Sequence, residues 1–301
     1  MEKRVILAIA LSLLILLSWS AFVSKMYHID NKEVKQYNTP QPPLPKESLA
    51  VSVADDQPLE EALFTLKREN YEVVFSERRA DIQEVKFLSY QSHKIPLKNG
   101  LLLGDKNLVF KREENLPRDT VSFVYEDSVK KITKRFTFSN YKYDIWLEIN
   151  VANLSQNNLK FDWPLVLGII NSSSKNNQAN YQDITVATRD KILRQNARVR
   201  KTIDFPETKF IGLRDRYFCA ILEPESSNWA SFIRKLNPQE IDVGIVAQEL
   251  NIAPGQQIGQ KFHLYIGPQD IKFINVIKPE WSAIIHYGTF DFISQLLLQL
   301  L

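Results

Sequence analysis

The sequence predicts a mainly β protein, a large sandwich of two stacked antiparallel sheets with a transmembrane helix at the N-terminus and an amphipathic helix at the C-terminus. Apolar and polar residues alternate with a period of two from about residue 60 to residue 268. Turn signals such as Asn99-Gly100 and Pro254-Gly255 separate the alternating runs. So many strands in one region indicate two packed sheets, whereas the continuous or helically spaced apolar residues at both chain ends do not fit a sheet.

The composition fits a globular domain without a strongly charged partner. The chain has 301 residues, of which 44% are hydrophobic and 24% are charged, and its net charge is +3. This small charge gives the whole molecule no attraction to nucleic acid or to an acidic substrate. Cys219 is the single cysteine, which excludes an intrachain disulfide, but a domain of this size buries enough apolar surface to fold without one.

Residues 1–24 are predicted to form a transmembrane anchor. Residues 5–23 carry no charge, and as a helix they would span about 28 Å, close to the thickness of the hydrocarbon core. Lys3 and Arg4 precede this stretch, so the positive-inside rule places the N-terminus in the cytoplasm and exports the rest of the chain.

The outer end of this segment is predicted to contact the membrane interface through Trp19 and Phe22. A cleaved signal peptide is the alternative, since Ser18 and Ser20 are small residues near a conceivable cleavage site. The apolar stretch is longer than the apolar region of a usual signal peptide, which has about 7–15 residues, and this favours an uncleaved anchor. Both interpretations export the remaining chain.

Residues 25–58 are predicted to be an extended linker, because four prolines fall within residues 40–45. Residues 59–285 then form the predicted β-sandwich domain. Segment 141–151 shows the alternation clearly, with one face made of Tyr143, Ile145, Leu147, Ile149 and Val151. Segment 217–222 is continuously apolar, which is typical of a strand buried on both faces. Apart from the chain ends, no segment shows a strong helical period.

A basic segment at 189–201 interrupts the alternation. Its six basic residues are Arg189, Lys191, Arg194, Arg198, Arg200 and Lys201. They would form either a patch for anionic lipid headgroups or a partner, or a solvated loop or strand face, and we prefer the solvated face. Nucleic acid is not expected as a partner, because no recognition module accompanies the patch.

Residues 286–301 are predicted to form an amphipathic helix. Asp291, Gln295 and Gln299 repeat every four residues on one side of this helix. The opposite side is apolar and includes four residues expected to contact the membrane, Phe290, Ile293, Leu297 and Leu300. The helix is too short and too striped to span a bilayer, so it would lie at the interface or pack on the domain. The exported anchor favours the interface.

The sequence offers no catalytic or metal-binding motif. Its four histidines, at positions 28, 93, 263 and 286, lack metal-ligand spacing. His263 is predicted to be an ordinary exposed histidine, and Cys219 a buried structural residue. The acid pairs at 55–56 and 113–114 are expected to be solvated. We therefore predict no catalytic residue, no cofactor, no metal and no enzymatic activity.

Several segments carry a family pattern in the same order along the chain. Segment 132–155 resembles central strands of the family and ends a hairpin at Asn153. The matching positions in segments 209–224, 262–270 and 286–301 are Gly212, Leu213, Tyr217, Phe218, Ala220, Pro224, Tyr265, Gly267, Pro268, Tyr287, Gly288, Phe292, Ile293 and Ser294. Together with the anchor, these segments resemble the YidC-type bacterial membrane protein insertases.

The resemblance implies a β-supersandwich related to galactose mutarotase, on the periplasmic side of the bacterial inner membrane. It implies a chaperone that aids the insertion and folding of membrane proteins. Its partners would be the lipid bilayer, nascent membrane-protein clients, and the Sec translocon with its accessory proteins. The family's membrane core, in which a hydrophilic groove holds an essential arginine, would follow residue 301. No residue of this sequence corresponds to that arginine, which puts insertase activity of this chain alone in doubt.

Two other functions compete with this interpretation. The first is a membrane-anchored carbohydrate-binding or carbohydrate-active sandwich, which would need a cleft with convergent histidine and acidic residues. The four scattered histidines disfavour it. The second is a tethered structural adaptor of the envelope, which would have no need for an interfacial helix at its C-terminus.

Overall fold

The computed structural model describes residues 62–90, 93–104, 108–162, 164–171, 182–196, 199, 201–247 and 250–285. The predicted anchor at 1–24, the predicted linker at 25–58 and the predicted C-terminal helix at 286–301 lie outside the described residues. The predicted membrane-contacting residues lie outside them too, namely Trp19, Phe22, Phe290, Ile293, Leu297 and Leu300. Within the described ranges, no helix has the length and apolar content needed to cross a bilayer.

Strands dominate the described part of the chain. The first ten are β1 (Leu63–Lys67), β2 (Tyr71–Ser76), β3 (Asp81–Phe87), β4 (His93–Gly100), β5 (Leu102–Leu103), β6 (Lys111–Arg112), β7 (Thr120–Glu126), β8 (Lys130–Phe138), β9 (Asp144–Asn153) and β10 (Leu159–Phe161). The next ten are β11 (Leu165–Asn171), β12 (Asp183–Thr188), β13 (Ile192–Asn196), β14 (Ile203–Phe205), β15 (Thr208–Arg214), β16 (Phe218–Pro224), β17 (Trp229–Asn237), β18 (Glu240–Ala247), β19 (Leu250–Ile252) and β20 (Gln257–Pro268). Two short helices follow, α1 (Ile271–Ile277) and a 3-10 helix (Pro279–Ile284).

The strands form one large sheet and three smaller ones. The nine-stranded sheet has the order β13-β12-β15-β16-β20-β9-β8-β7-β6. The five-stranded sheet has the order β14-β17-β18-β11-β5, the four-stranded sheet runs β1-β2-β3-β4, and β10 pairs with β19. The strand pairs in the described residues are antiparallel, from the β1–β2 hairpin to the central β9–β20 pair. The predicted mainly β, antiparallel class is confirmed.

The nine-stranded sheet forms one layer, and the four- and five-stranded sheets pack on its inner face. Phe75 of β2 meets Phe123 and Phe136 of the large sheet, with ring centroids 5.7 and 5.1 Å apart. In the five-stranded sheet, Gly168 lies against Leu213, since a Cβ atom at position 168 would be 3.3 Å from a Leu213 methyl group. The predicted two-layer sandwich is therefore confirmed, although its second layer consists of two sheets.

The alternation in the sequence corresponds to the two faces of the large sheet. In β9, Ile145, Leu147, Ile149 and Val151 are all buried. Residues 218–222 of β16 are buried on both faces, as predicted, because residues 271–284 cover the outer side of this strand. Tyr217, the first residue of the predicted segment, is exposed. No segment between the chain ends shows a strong helical period in the sequence, and the helices that the structure describes there are short. Helix α1 has only seven residues, too few for a helical period to stand out in the sequence.

A fully buried lysine lies between the two layers. Lys134 of β8 donates through Nζ to the carbonyl oxygens of Ala80 and Leu101, at 2.5 and 2.6 Å. Both acceptors have positive φ, 52° and 62°, which few residues other than glycine adopt. Burial lowers the pKa of Lys134 to about 7, and the nearby carboxylate of Asp81 opposes that shift. The lysine therefore binds two backbone carbonyls that lie between strands, in the β2–β3 and β4–β5 connections.

Candidate functional site

Residues 270–285, here called the strap, lead the chain from β20 across the outer face of the nine-stranded sheet. The strap begins at Asp270, whose side chain accepts a 2.8 Å hydrogen bond from the backbone N–H of Lys272 and caps α1. Its apolar residues Ile274, Trp281 and Ile284 are fully buried. The strap is the last described segment before the predicted interfacial helix, and its contacts fix the end of the described chain on the sheet.

Trp281 anchors the middle of the strap. Its side chain is 0% exposed, and its indole N–H donates to Glu223 Oε2 of β16 at 2.6 Å. Lys278 Nζ contacts the other carboxylate oxygen of Glu223, so both oxygens bind the strap. The Trp281 ring also lies 4.7 Å from the ring of His263 on the neighbouring strand β20. One indole therefore joins the strap to two strands through packing and hydrogen bonding.

His263 lies against Trp281 on the sheet. The prediction that His263 is an ordinary exposed histidine is wrong. Its side chain is only 16% exposed, and its Nε2 lies 2.6 Å from Asp144 Oδ1. Its ring stacks on Trp146 with centroids 4.0 Å apart. Asp144 also accepts a 2.6 Å hydrogen bond from Ser139 Oγ. The pairing of β9 with β20 places Trp146 opposite His263, and the alternation within one strand does not reveal such a pair.

The far end of the strap rests on a glycine. A Cβ atom at position 212 would lie 2.5 Å from Ile284 Cδ1, so the absence of a side chain at Gly212 makes room for Ile284. Close by, Arg194 of the edge strand β13 donates to the carbonyl oxygen of Ala283 at 2.9 Å. Gly212 is one of the motif positions found in the sequence, and the structure gives it a packing role beneath the strap.

The near end of the strap rests on tyrosines. The Tyr265 hydroxyl donates to the carbonyl oxygen of Pro268 at 2.6 Å, which fixes the turn out of β20. The Tyr143 ring packs against Gly267 and lies edge-on to Phe273 of α1, with centroids 5.5 Å apart. Burial raises the pKa of Tyr143 to about 12 and raises the pKa of Tyr265 as well, so both phenols stay neutral.

The motif residue Asn153 closes a turn at the end of β9, a central strand of the same sheet. Its side-chain amide donates to the carbonyl oxygens of Asn157 and Ile252, each at 2.7 Å. Its side-chain oxygen accepts from the Ser155 N–H at 2.9 Å. Asn153 is fully buried, so this residue holds the loops at the end of β9 and contributes no exposed chemical group.

Alanine at position 267 is expected to lower the free energy of unfolding by about 1–3 kcal/mol, the usual effect of overpacking a core. The added Cβ would lie 2.6 Å from the Tyr143 ring, which is buried and cannot move away freely. Urea unfolding of the full chain in detergent measures this loss. Gly168→Ala is the control, because position 168 has no positive φ and its added Cβ would come no closer than 3.3 Å to a Leu213 methyl group. A Gly267→Ala loss no larger than that of Gly168→Ala would contradict the expectation.

Phenylalanine at position 263 is expected to lower the free energy of unfolding by about 1–3 kcal/mol, because it leaves Asp144 with an unmade hydrogen bond. The phenyl ring keeps the stacking on Trp146, so the loss isolates the 2.6 Å contact with the carboxylate. Lys261→Met on the same strand is the matched control, since Lys261 is exposed. Equal stabilities of the two variants, measured by the same urea unfolding, would refute a structural role for this contact.

A cleft in the sandwich is lined by residues of β4, β11, β15 and β16. Its polar lining includes Gln182, Arg214 and Asp215. The guanidinium of Arg214 binds both carboxylate oxygens of Asp183. Asp215 accepts from the N–H groups of residues 217 and 218, at 2.7 and 2.8 Å. Arg214 and Asp215 therefore already bind other groups of the domain.

The described residues hold no cluster of three or more histidine, cysteine or acidic side chains suited to a metal ion. Cys219, which borders the cleft, is buried, and this burial raises the pKa of its thiol. A protonated, enclosed thiol is a poor nucleophile. The residue is therefore structural, in agreement with the interpretation of the sequence.

Solved structures share the fold at very low identity. A galactose mutarotase-like protein from Lactobacillus casei ATCC 334 has a TM-score of 0.53 and 9% identity, over 68% of this chain and 100% of that chain. A putative aldose 1-epimerase from Escherichia coli K12 has a TM-score of 0.50 and 11% identity, over 68% of this chain and 98% of the other. These similarities confirm the predicted mutarotase-like sandwich and extend to the fold alone.

Sequence relatives identify the family. Proteins named membrane protein insertase YidC from Burkholderia thailandensis and from Burkholderia pseudomallei strain 668 are each 22% identical to this chain over 250 residues, which is 74% of the chain. The chain spans 44% of the length of these relatives. Residues 98–300 match the family described as the YidC periplasmic domain. The chain belongs to the YidC family, and most of its β-sandwich is the periplasmic domain of that family.

Proposed function

We propose that this chain is the anchored periplasmic part of a YidC-type insertase, a chaperone that aids the insertion and folding of inner-membrane proteins. The match of residues 98–300 to the YidC periplasmic domain is the observation that carries the proposal. The strap supports it, because this segment fixes the exit of the chain beside the sheet immediately before the predicted interfacial helix.

In the proposed topology the N-terminus is cytoplasmic, residues 1–24 cross the inner membrane, and the linker at 25–58 leads to the periplasmic sandwich. Residues 286–301 then lie on the periplasmic surface of the bilayer. Lipid contacts come from the predicted interfacial residues at the two chain ends, Trp19, Phe22, Phe290, Ile293, Leu297 and Leu300. The packing of the strap on the sheet would thus hold the domain at a set distance from the membrane.

The proposed partners are nascent membrane-protein clients and the Sec translocon with its accessory proteins. The described domain offers exposed apolar side chains to such partners, including Tyr217, which is 56% exposed beside the motif strand β16. Chaperoning an apolar client needs accessible surface and no chemical step, so we propose no cofactor and no enzymatic activity. The carbohydrate alternative is supported only by the shared fold, and Arg214 and Asp215 at the cleft are already bound within the domain.

Photo-crosslinking in cells tests the proposal. A benzophenone amino acid replaces Tyr217 in the full chain, and arrested nascent chains of an inner-membrane protein or of a secreted soluble protein are supplied. We expect adducts with the membrane protein and few with the secreted one. A probe at Phe218, which is buried, is the matched control and should give neither. Equal yields from both clients, or no adduct from either, would reject a client-binding role for this surface.

A further inference from the structure

The β12–β13 hairpin presents a cluster of exposed cations. Arg189, Lys191 and Arg194 are all exposed, and none forms an ion pair with another described residue. The turn between the strands is tight, since the Thr188 N–H and hydroxyl both donate to the carbonyl oxygen of Lys191, at 2.9 and 3.1 Å. Asp190 is the acidic residue of the turn, so the described hairpin keeps an excess of positive charge.

An aliphatic side chain lies among these cations. Ile192 is 50% exposed on the outer face of the sheet, the face that the strap crosses. Leu193, the next residue, is less exposed and faces the interior with its partner Val186. A branched aliphatic group surrounded by cations is typical of a surface that meets lipid headgroups, where the cations bind phosphate and the apolar group enters the acyl boundary.

The hairpin lies beside the C-terminal end of the strap. Arg194 donates to the carbonyl oxygen of Ala283 at 2.9 Å, and the predicted interfacial helix begins three residues later at position 286. Three residues span at most about 11 Å. This reach is close to the Debye length of about 8–10 Å at physiological salt. A helix lying on the bilayer from residue 286 onward would therefore bring Arg194 within the range of its surface charge, and Arg189 and Lys191 lie at the turn of the same hairpin.

We propose that the β12–β13 hairpin binds anionic phospholipid headgroups and forms a second membrane contact of the domain. The proposal rests on the proposed function, since it uses the predicted interfacial helix. A pocket for a free phosphate ion would need converging donors, whereas these cations are spread along a hairpin. An acidic peptide would satisfy the charges but would not account for the exposed Ile192. Each cation near an anionic surface favours attachment by about fivefold.

Fluorescence quenching of the full chain in lipid nanodiscs tests the proposal. Ile192→Cys carries the fluorophore, while the native Cys219 is fully buried and remains unlabelled. Quencher groups are placed on the lipid headgroups. Leu236→Cys is the matched control, because Leu236 is 48% exposed next to a lysine on the five-stranded sheet of the other layer. We expect strong quenching at position 192 in phosphatidylglycerol discs, little in phosphatidylcholine discs, and little at position 236 in either.

Charge removal and salt sharpen this test. The double variant Arg189→Gln, Lys191→Gln leaves Arg194 bound to the strap and is expected to lower the ratio of attached to free hairpin by roughly 25-fold. High salt should act in the same direction. Equal quenching in the two lipids would overturn the proposal. So would loss of quenching with inorganic phosphate at constant ionic strength, or protection of position 192 by an acidic peptide alone.

The same experiment separates this proposal from the proposed function. A chain that fails to integrate into nanodiscs would refute the membrane anchor and, with it, the hairpin contact. An integrated chain whose probe at position 192 stays unquenched in phosphatidylglycerol discs would refute only the hairpin contact.

Discussion

Replacing Trp281 by alanine is expected to lower the free energy of unfolding by about 3–5 kcal/mol, the range found for truncating a buried aromatic residue. The indole is fully buried between the strap and the sheet, and its N–H binds Glu223 at 2.6 Å. Its loss opens a cavity above His263 and leaves Glu223 with a single partner, Lys278. We expect the strap to detach before the sandwich unfolds, because the indole is the largest fully buried side chain of the strap.

Urea unfolding of the full chain in detergent measures the stability, and amide hydrogen exchange over residues 271–285 measures detachment of the strap. Val276→Ala is the matched control, since Val276 lies on the same segment and is exposed, so it should change stability by less than about 0.5 kcal/mol. A Trp281→Ala loss as small as that of the control, with unchanged exchange over the strap, would show that the indole does not hold the segment.

Replacing Lys134 by methionine is expected to destabilise the domain more at high pH than at low pH. The pKa of Lys134 is about 7 in the folded domain and about 10.5 when the chain is unfolded. Between these values the unfolded state binds a proton that the folded state does not, so the stability of the wild type rises with pH. Below about pH 7 a buried charge weakens the wild type, whereas above it a neutral amine donates to Ala80 and Leu101 without that penalty.

The stability difference between wild type and Lys134→Met should grow by on the order of 3 kcal/mol from about pH 6 to about pH 9.5, at about 1.4 kcal/mol per pH unit above the folded pKa. Lys131→Met is the control on the same strand, because Lys131 is exposed and should show no such trend. Urea unfolding at both pH values provides the measurement. A difference that is constant, or that shrinks as pH rises, would contradict the lowered pKa of Lys134.

The sandwich was predictable from the sequence because its strands are half-buried. An antiparallel strand with one solvent-exposed face has apolar, buried residues at every second position, as β9 does with Ile145, Leu147 and Ile149. The same alternation indicates that Lys134 is buried although it is charged. This residue stands at an inward position of β8, between Ile132 and Phe136, where a charge needs a buried partner.

The surface on which the strap packs could not be predicted in this way, because it depends on which strands become neighbours. Asp144 and Trp146 belong to one strand and His263 to another, 119 residues away from Asp144. A single sequence does not give that register. The strap itself is a seven-residue helix followed by a 3-10 helix, and each is too short to show a period. Gly212 and Gly267 were visible as motif positions, but their role needed the strap above them.

Labelling of one engineered cysteine in intact spheroplasts tests most directly whether the sandwich lies outside the inner membrane. Leu236→Cys is placed on an exposed side chain, while the native Cys219 is buried and silent until the chain unfolds. With a membrane-impermeant maleimide, we expect Leu236→Cys to react in intact spheroplasts as fully as after lysis. Reaction only after lysis would place the domain in the cytoplasm and contradict a periplasmic YidC domain.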